Sequence, residues 1–329
     1  MSGKKRIVSG MRPTGALHLG NLHGALSNWI SLQDQYDCFF FIADWHALTS
    51  DYEHPENIRR YSHDMMIDWL AAGLSPEKST LFVQSEIREH AELFLLLSMI
   101  TPVPWLERNP TYKDQIEQLS SRDLSTFGFL GYPVLQAADI IIYKADGVPV
   151  GIDQIPHIEI TREIARRFNY LYTPIFPEPG AILTETAKVL GVDRRKMSKS
   201  YGNAIYLGDS PDTVRKTVAS MITDPQRMKK TDPGDPSICN VFTFHKLYSD
   251  GSMVAEVDEL CRTAGIGCVA CKKKVAENLV SFLAPIREKI EYYRDHGKLV
   301  EEIMETGSKK AREVVRKTME EVRAAIKIR

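Results

Sequence analysis

Two short stretches carry residue types that do chemistry. The first is Arg12-Pro13-Thr14-Gly15-Ala16-Leu17-His18-Leu19-Gly20-Asn21, which follows the apolar pair Ile7-Val8 and leads into a helical pattern reaching about Gln33. A strand that turns sharply through Pro and Gly into a helix offers free backbone N–H groups and a positive helix end, a seat for phosphate in an α/β sheet. Gly20 has no side chain, so a flat ring could lie against the backbone there. His18 and Asn21 can donate hydrogen bonds to phosphate or ribose oxygens. The second stretch, Lys196-Met197-Ser198-Lys199-Ser200 followed by Gly202, sets two cations on a loop of small residues. Either stretch alone reads more readily as a connecting turn or as solvated charge. Together they point to nucleotide chemistry.

A third feature is Asp139, inside the apolar run Gly131 to Tyr143. A carboxylate among Ala and Ile costs much free energy unless something donates to it. Either a protein group or a ligand N–H must satisfy it. Asp153 follows Val148-Pro149-Val150-Gly151-Ile152 and precedes the helical pattern Pro156 to Asn169, so it is an N-cap or part of a second ligand turn. Cys239, Cys261, Cys268 and Cys271 read C-x21-C-x6-C-x2-C, four of five cysteines within 33 residues. By spacing they suit zinc and an iron–sulfur cluster equally, and buried free thiols as the plain alternative. Cys38, before a core strand, reads as packing.

The elements that position these residues alternate. Phe39 to Asp44 reads as a strand buried on both faces, and Leu81 to Gln84 as the next short strand. Pro55 to Ala72, stopped by Gly73, and His90 to Ile100 read as helices. His46 lies at the C-terminal end of the first of these strands, where it either packs in the core or lines a pocket. Lys113 reads as solvated surface. This rhythm predicts an α/β fold, a doubly wound parallel sheet. Residues 172–191, rich in Pro, Gly and Thr, read as a connection. From Pro211 onward the pattern is helical: Asn240 to Tyr248, Met253 to Arg262, Lys272 to Tyr293 and Leu299 to Ile326.

The chain has 329 residues, 43% of them hydrophobic, and a net charge of -1, so no overall basic field marks nucleic acid. The distribution is uneven. From Cys261 to Arg329 there are 16 Lys/Arg against 10 Asp/Glu, and in the remainder 26 against 33. A basic C-terminal end suits a phosphate backbone, and amphipathic surface helices equally. The apolar patches are too short for a membrane span, and the odd cysteine count in a chain without an export pattern predicts a cytoplasmic protein without a disulfide framework.

His18-Leu19-Gly20-Asn21 and Lys196-Met197-Ser198-Lys199-Ser200, in this order and at this separation, resemble the paired signatures of class I aminoacyl-tRNA synthetases. Tyr132 to Asp139, Val148 to Gln154 and His157 to Glu163 narrow the resemblance, over almost the whole chain, to bacterial tryptophanyl-tRNA synthetases. Tyrosyl-tRNA synthetases share the fold with a different pocket string; Ala137-Ala138 before Asp139 and Gly151 before Asp153 favour the tryptophanyl side. The competing readings are a tyrosyl enzyme and a non-catalytic tRNA- or nucleotide-binding paralogue.

The resemblance implies activation of L-tryptophan by ATP with Mg²⁺, then transfer to the 3′ end of tRNA-Trp, by a homodimer. It implies a Rossmann-like catalytic domain over 1–190, a KMSKS loop over 191–206, a smaller all-helical anticodon-binding domain over 207–295 and a C-terminal helix, 296–329, packed back on the catalytic domain. Arg12, Pro13, Thr14, His18, Gly20, Asn21, Gly151, Ile152, Asp153, Lys196, Met197, Ser198 and Lys199 would bind ATP. Lys113, Lys196 and Lys199 would meet the triphosphate as catalytic cations. Val8, His46, Tyr132, Gln136, Asp139 and Gln154 would bind tryptophan, with Asp139 accepting the indole N–H. Departures from common family residues fall at Val8, Arg12, Gln136 and Ile152. A subset of these synthetases carries a [4Fe–4S] cluster at a similar cysteine array, which favours the cluster over zinc at Cys239, Cys261, Cys268 and Cys271.

Overall fold

Runs such as Cys38-Phe39-Phe40-Phe41-Ile42 are apolar at every position, so both of their faces must be covered. In the computed structural model, which describes residues 3–109, 124–183 and 189–328, they are strands of one parallel sheet. Its members are β1 (Arg6–Met11), β2 (Asp37–Ile42), β3 (Ser79–Val83), β4 (Gly147–Val150) and β5 (Gly180–Leu183), in the order β3-β2-β1-β4-β5. The order reverses beside β1, which makes the sheet doubly wound and opens a crevice beyond the C-terminal ends of β1 and β4. The longer helices are α1 (Asp44–Asp51), α2 (Ile58–Ala72), α3 (Glu89–Ser98), α4 (Tyr132–Ile141), α5 (Ile155–Leu171), α6 (Pro211–Ala219), α7 (Asn240–Tyr248), α8 (Gly251–Arg262), α9 (Cys268–Asp295) and α10 (Gly297–Ala325).

The chain divides into two compact units. The first comprises Met1–Gly15, Asn28–Thr186 and His296–Arg329; the second comprises Ala16–Ser27 and Ala187–Asp295. In the first, Trp29 stacks on Phe40 with ring centroids 4.6 Å apart and meets Trp69 edge-on at 5.2 Å. Phe39, Phe41, Phe82 and Tyr143 join a core that α3, α4, α5 and α10 also supply. The C-terminal helix α10 lies directly on β3. Gly307 makes this possible, since a Cβ there would fall 1.7 Å from the carbonyl oxygen of Leu81. Arg323 clamps Glu92 with two bonds of 2.8 and 2.6 Å, and Lys144 pairs with Glu321 at 2.6 Å.

In the second unit α6 and α7 each carry an apolar stripe toward α9, and α8 packs on α7, burying Val214, Val218, Phe244, Val257, Val275, Leu279 and Leu283.

Two local expectations are corrected. The helix predicted from Asn21 to Gln33 is interrupted: over Leu22–Leu26 the backbone takes a wider turn, closed by the Ser27 N–H on Leu22 O, and the Ser27 hydroxyl donates to the same carbonyl at 2.7 Å. The connection predicted over 172–191 contains β5, which runs parallel to β4 from Gly147↔Gly180 to Val150↔Leu183.

Candidate active site

The signature loop is built by strand pairing. Residues 17–19 run antiparallel to 205–207: Leu19 N–H donates to Ile205 O and Leu207 N–H to Leu17 O, both at 3.0 Å, with His18 opposite Tyr206. This fixes His18 at the start of a helical turn. Its backbone N–H donates to Asn21 Oδ1 at 3.1 Å, and Asn21 N–H donates to His18 Nδ1 at 3.3 Å. Burial, then the nearby Lys199 ammonium, lowers the His18 pKa to about 4. The ring is therefore neutral, and with Nδ1 accepting, the proton sits on Nε2 as a hydrogen-bond donor. At Gly20 a Cβ would lie 3.0 Å from the His18 ring and 3.3 Å from Met197 Cβ, so glycine leaves room between the two signature stretches.

The Lys196–Ser200 loop is held from below by two buried residues, Met197 and Asn203. Asn203 Oδ1 accepts Ser198 N–H at 2.8 Å, and its amide donates to Asp193 Oδ1 at 2.7 Å and Lys196 O at 3.2 Å. Gly202, at φ +61, supplies the left-handed turn that closes the loop. Lys196 is exposed and Lys199 half-buried. Asn203 carries the loop's geometry, yet nothing in the sequence set it apart from any polar residue after a Gly.

In the first unit Asp139, on α4, has no exposed surface. Its Oδ1 takes His90 Nδ1 at 2.5 Å and Gln84 Nε2 at 2.8 Å; its Oδ2 takes His46 Nε2 and the same Gln84 Nε2, each at 2.8 Å. Burial alone would raise its pKa, but the bonds from His46 and His90 outweigh it and hold the carboxyl below its ordinary value. Gln84 Oε1 in turn accepts Trp45 N–H at 3.2 Å, and Asp44 Oδ1 accepts Ser85 N–H at 3.1 Å, so the ends of β2 and β3 are stitched together beneath the carboxylate. Burial raises the pKa of Asp44.

Further along the same helix start, Tyr132 Oη lies 3.3 Å from His157 Nε2, and His157 Nδ1 is 3.3 Å from Asn109 Nδ2. Burial raises the Tyr132 hydroxyl well above its usual range. Gln136 is the one position of α4 that is not buried. Val8 is fully buried between neighbouring strands, and Gln154 ends the single turn Ile152–Gln154 after Gly151. Ile152 is 76% exposed. Arg12 turns toward α1: its Nη2 bonds the Ser50 hydroxyl and lies 3.9 Å from Asp51 Oδ2. Lys113 and the Asp153 side chain lie outside the described residues.

The four cysteines come from helix ends. Cys239 precedes α7, Cys261 is in the last turn of α8, and Cys268 and Cys271 are in the first turn of α9. All are free thiols within reach of one another's charge: burial, then Cys239, Cys261 and Cys268, pushes the Cys271 pKa up to about 12. Around them, Arg227 Nη1 is 3.9 Å from Cys268 Sγ, His245 Nε2 is 3.5 Å from Cys271 Sγ, and a Cβ at Gly234 would lie 2.7 Å from Cys261 Sγ. The donor set and its close-fitted glycine suit a thiolate-held group. Among the described residues, no three His, Cys, Asp or Glu side chains are grouped closely enough to hold one ion. The thiols therefore share a neighbourhood without a closed cage.

A doubly wound parallel sheet, a neutral histidine donor on a strand-to-helix turn and a pinned loop with two lysines define a nucleotide-using α/β protein of the class I synthetase type. The family described as tRNA synthetases class I (W and Y) matches residues 2–284, and the chain belongs to it. It is 54% identical to the tryptophan–tRNA ligase of Thermotoga maritima, over 98% of this chain and 99% of that protein. With the enzyme of the same description from Aquifex aeolicus it shares 48% identity, over 98% of this chain and 100% of that protein. The crystal structure of tryptophanyl-tRNA synthetase from Campylobacter jejuni, complexed with ADP and tryptophan, superposes with a TM-score of 0.90 at 35% identity, covering 98% of this chain and 100% of that one.

Proposed function

We propose that this protein is a tryptophan–tRNA ligase. It uses ATP to convert L-tryptophan to tryptophanyl-adenylate and pyrophosphate, and it passes the tryptophanyl group to the 3′ end of tRNA-Trp with release of AMP. The observation that carries the choice of amino acid is the buried, ionised Asp139. A carboxylate held charged in this way favours a ring that brings an N–H donor over one that brings none. The near full-length similarity to proteins described as tryptophan–tRNA ligases supports the same choice over tyrosine.

His18 Nε2–H, the Gly20 backbone and Asn21 hold the adenosine and phosphates, with Arg12, Pro13 and Thr14 on the approach and Gly151, Ile152 and Asp153 near the ribose. His46, Tyr132, Gln136, Val8 and Gln154 shape the tryptophan pocket, Tyr132 and Gln154 at the α-amino group. The tryptophan carboxylate attacks the α-phosphorus in line and pyrophosphate leaves. Lys113, Lys196 and Lys199 stabilise charge on the triphosphate, and Met197 and Ser198 set the loop that carries two of them. Mg²⁺ travels with the ATP phosphates and spreads their charge. In the second unit Cys239, Cys261, Cys268 and Cys271 hold a [4Fe–4S] cluster, with zinc as the alternative; the bound group would tie the ends of α7, α8 and α9. Residues 207–295 read the tRNA, the active species is a homodimer, and the protein is cytoplasmic; no helix among the described residues is long and apolar enough to cross a membrane.

Amino-acid-dependent ATP–pyrophosphate exchange across the standard amino acids tests the reading. Exchange with tryptophan alone is expected. Exchange with tyrosine and not tryptophan, or with none, overturns it. Iron, sulfide and zinc analysis of anaerobically purified protein tests the metal assignment; one zinc per chain without iron refutes the cluster.

A further inference from the structure

We propose that His90 is a positioning residue for substrate choice: without touching the substrate, it fixes Asp139 as an ionised N–H acceptor, and Tyr143 in turn fixes His90. This rests on the reading of Asp139 as the acceptor of the indole N–H.

Asp139, His90 and Tyr143 are all 0% exposed and form one chain. His90 Nδ1 meets Asp139 Oδ1 at 2.5 Å, and His90 Nε2 meets Tyr143 Oη at 2.8 Å. With a neutral imidazole, one proton arrangement satisfies every atom. The carboxylate can only accept, so Nδ1 carries a hydrogen and donates it. Nε2 of a neutral imidazole is then an acceptor, and the Tyr143 hydroxyl donates to it. That hydroxyl stays protonated, because burial and then the Asp139 charge push its ionisation far up. A protonated Asp139 would set its own hydrogen against these donors, so the network selects the charged form. The histidine ring cannot swing away. Its centroid lies 6.1 Å from that of Phe41, 6.4 Å from Phe82 and 5.4 Å from Tyr143.

The donors around Asp139 divide by burial. Gln84 and His90 have no exposed surface and hold the carboxylate from inside. Of the histidine side chains on Asp139, that of His46 is 11% exposed and that of His90 is not exposed at all. An incoming N–H thus approaches from the His46 side, and His90 determines the charge and plane of what it finds.

The test compares tryptophan with β-(3-benzothienyl)alanine, which has sulfur in place of the indole N–H, in ATP–pyrophosphate exchange by the full-length protein. The readout is the ratio of kcat/KM for the two substrates. His90→Leu removes the inner donor and should lower the ratio roughly tenfold, through KM for tryptophan, with KM for ATP unchanged. His90→Asn returns an N–H donor near the Nδ1 position and should restore most of the ratio. Tyr143→Phe keeps both rings and should give an intermediate loss. A residue that merely fills space would cost both substrates equally, so an unchanged ratio in His90→Leu overturns the proposal. Should His90→Leu not fold, Tyr143→Phe decides: a lowered ratio supports the relay and an unchanged one overturns it. Asp139→Asn separates the layers. If it leaves the ratio intact, the reading of Asp139 itself fails; if it abolishes the ratio while His90→Leu does not, only the role of His90 fails.

Discussion

His18 and Asn21 cap each other: the histidine backbone N–H donates to the asparagine Oδ1 at 3.1 Å, and the asparagine backbone N–H donates to the histidine Nδ1 at 3.3 Å. This exchange leaves Nε2–H as the ring's outward donor. Asn21→Ala removes one half of it and leaves the His18 N–H without its side-chain acceptor. The expected cost is about 1 kcal/mol in thermal or urea unfolding. KM for ATP should rise severalfold while KM for tryptophan holds. An equal rise in both would contradict a role confined to the nucleotide.

The neutrality of His18 carries a pH dependence. Its folded pKa, about 4, lies below the ordinary 6.5. The stability it contributes is complete above pH 6.5 and is lost progressively as pH falls toward 4, because the unfolded chain takes up a proton that the folded one refuses. Ring-carbon NMR, with the signal assigned by its loss in His18→Gln, should show the His18 ring still neutral at pH 5. Lys199→Met should move its midpoint upward but keep it below 6.5, since burial is the larger cause. A midpoint at 6.5 in the unaltered protein would contradict the buried geometry.

Gly20→Ala places a methyl 3.0 Å from the His18 ring and 3.3 Å from Met197 Cβ. The expected destabilisation is about 1–3 kcal/mol, with loss of exchange activity through KM for ATP. Met197→Ala should not rescue it, because the contact on that side is with the β-carbon, which alanine keeps. Rescue by that second change would locate the clash elsewhere.

How much of this was legible depends on where the physical signal lies. Asp139 stood out because a carboxylate in an apolar helix demands an explanation. Its partners did not. Gln84 merely follows an apolar run, and His90 merely opens a helix; only the parallel register of β2 and β3 and the packing of α3 on α4 bring them to one carboxylate. The strands of the sheet interior were readable because both faces are covered. β5 was not, because its apolar run Ala181-Ile182-Leu183 is only three residues long, lies at the sheet edge exposed or half-exposed, and is set in a stretch rich in Pro, Gly and Thr. Asn203 escaped for a similar reason: its bonds run to backbone and to Asp193 across the loop, and no local pattern announces them.

The seating of α10 on the sheet turns on one residue. At Gly307 a Cβ would lie 1.7 Å from Leu81 O and 2.7 Å from its carbonyl carbon, which are strand backbone and cannot rotate aside. Gly307→Ala must lift the helix off β3, uncovering Leu81, Ala311 and Val315. The expected loss is at least ~3 kcal/mol, seen as a drop of several degrees in Tm. Gly297→Ala is the control: nothing lies within 4 Å of its Cβ, and the change should be neutral or slightly stabilising.

Gly234 sets the tightest approach to the cysteine array. Its backbone N–H donates to Cys261 O at 2.9 Å, and a Cβ would lie 2.7 Å from Cys261 Sγ. Gly234→Ala therefore has to displace the Cys261 thiol or the turn before Asp235, and a displaced thiol is hindered from closing with the other three on a cluster or zinc. Metal per chain should fall well below that of the unaltered protein, with Tm lowered by the loss of a tie among α7, α8 and α9. Tryptophan-dependent ATP–pyrophosphate exchange should be retained, because the residues proposed for that step lie outside the array. Exchange lost together with the metal would mean that the array bears on the adenylate site. Metal retained in full would mean that Cys261 is not among its ligands.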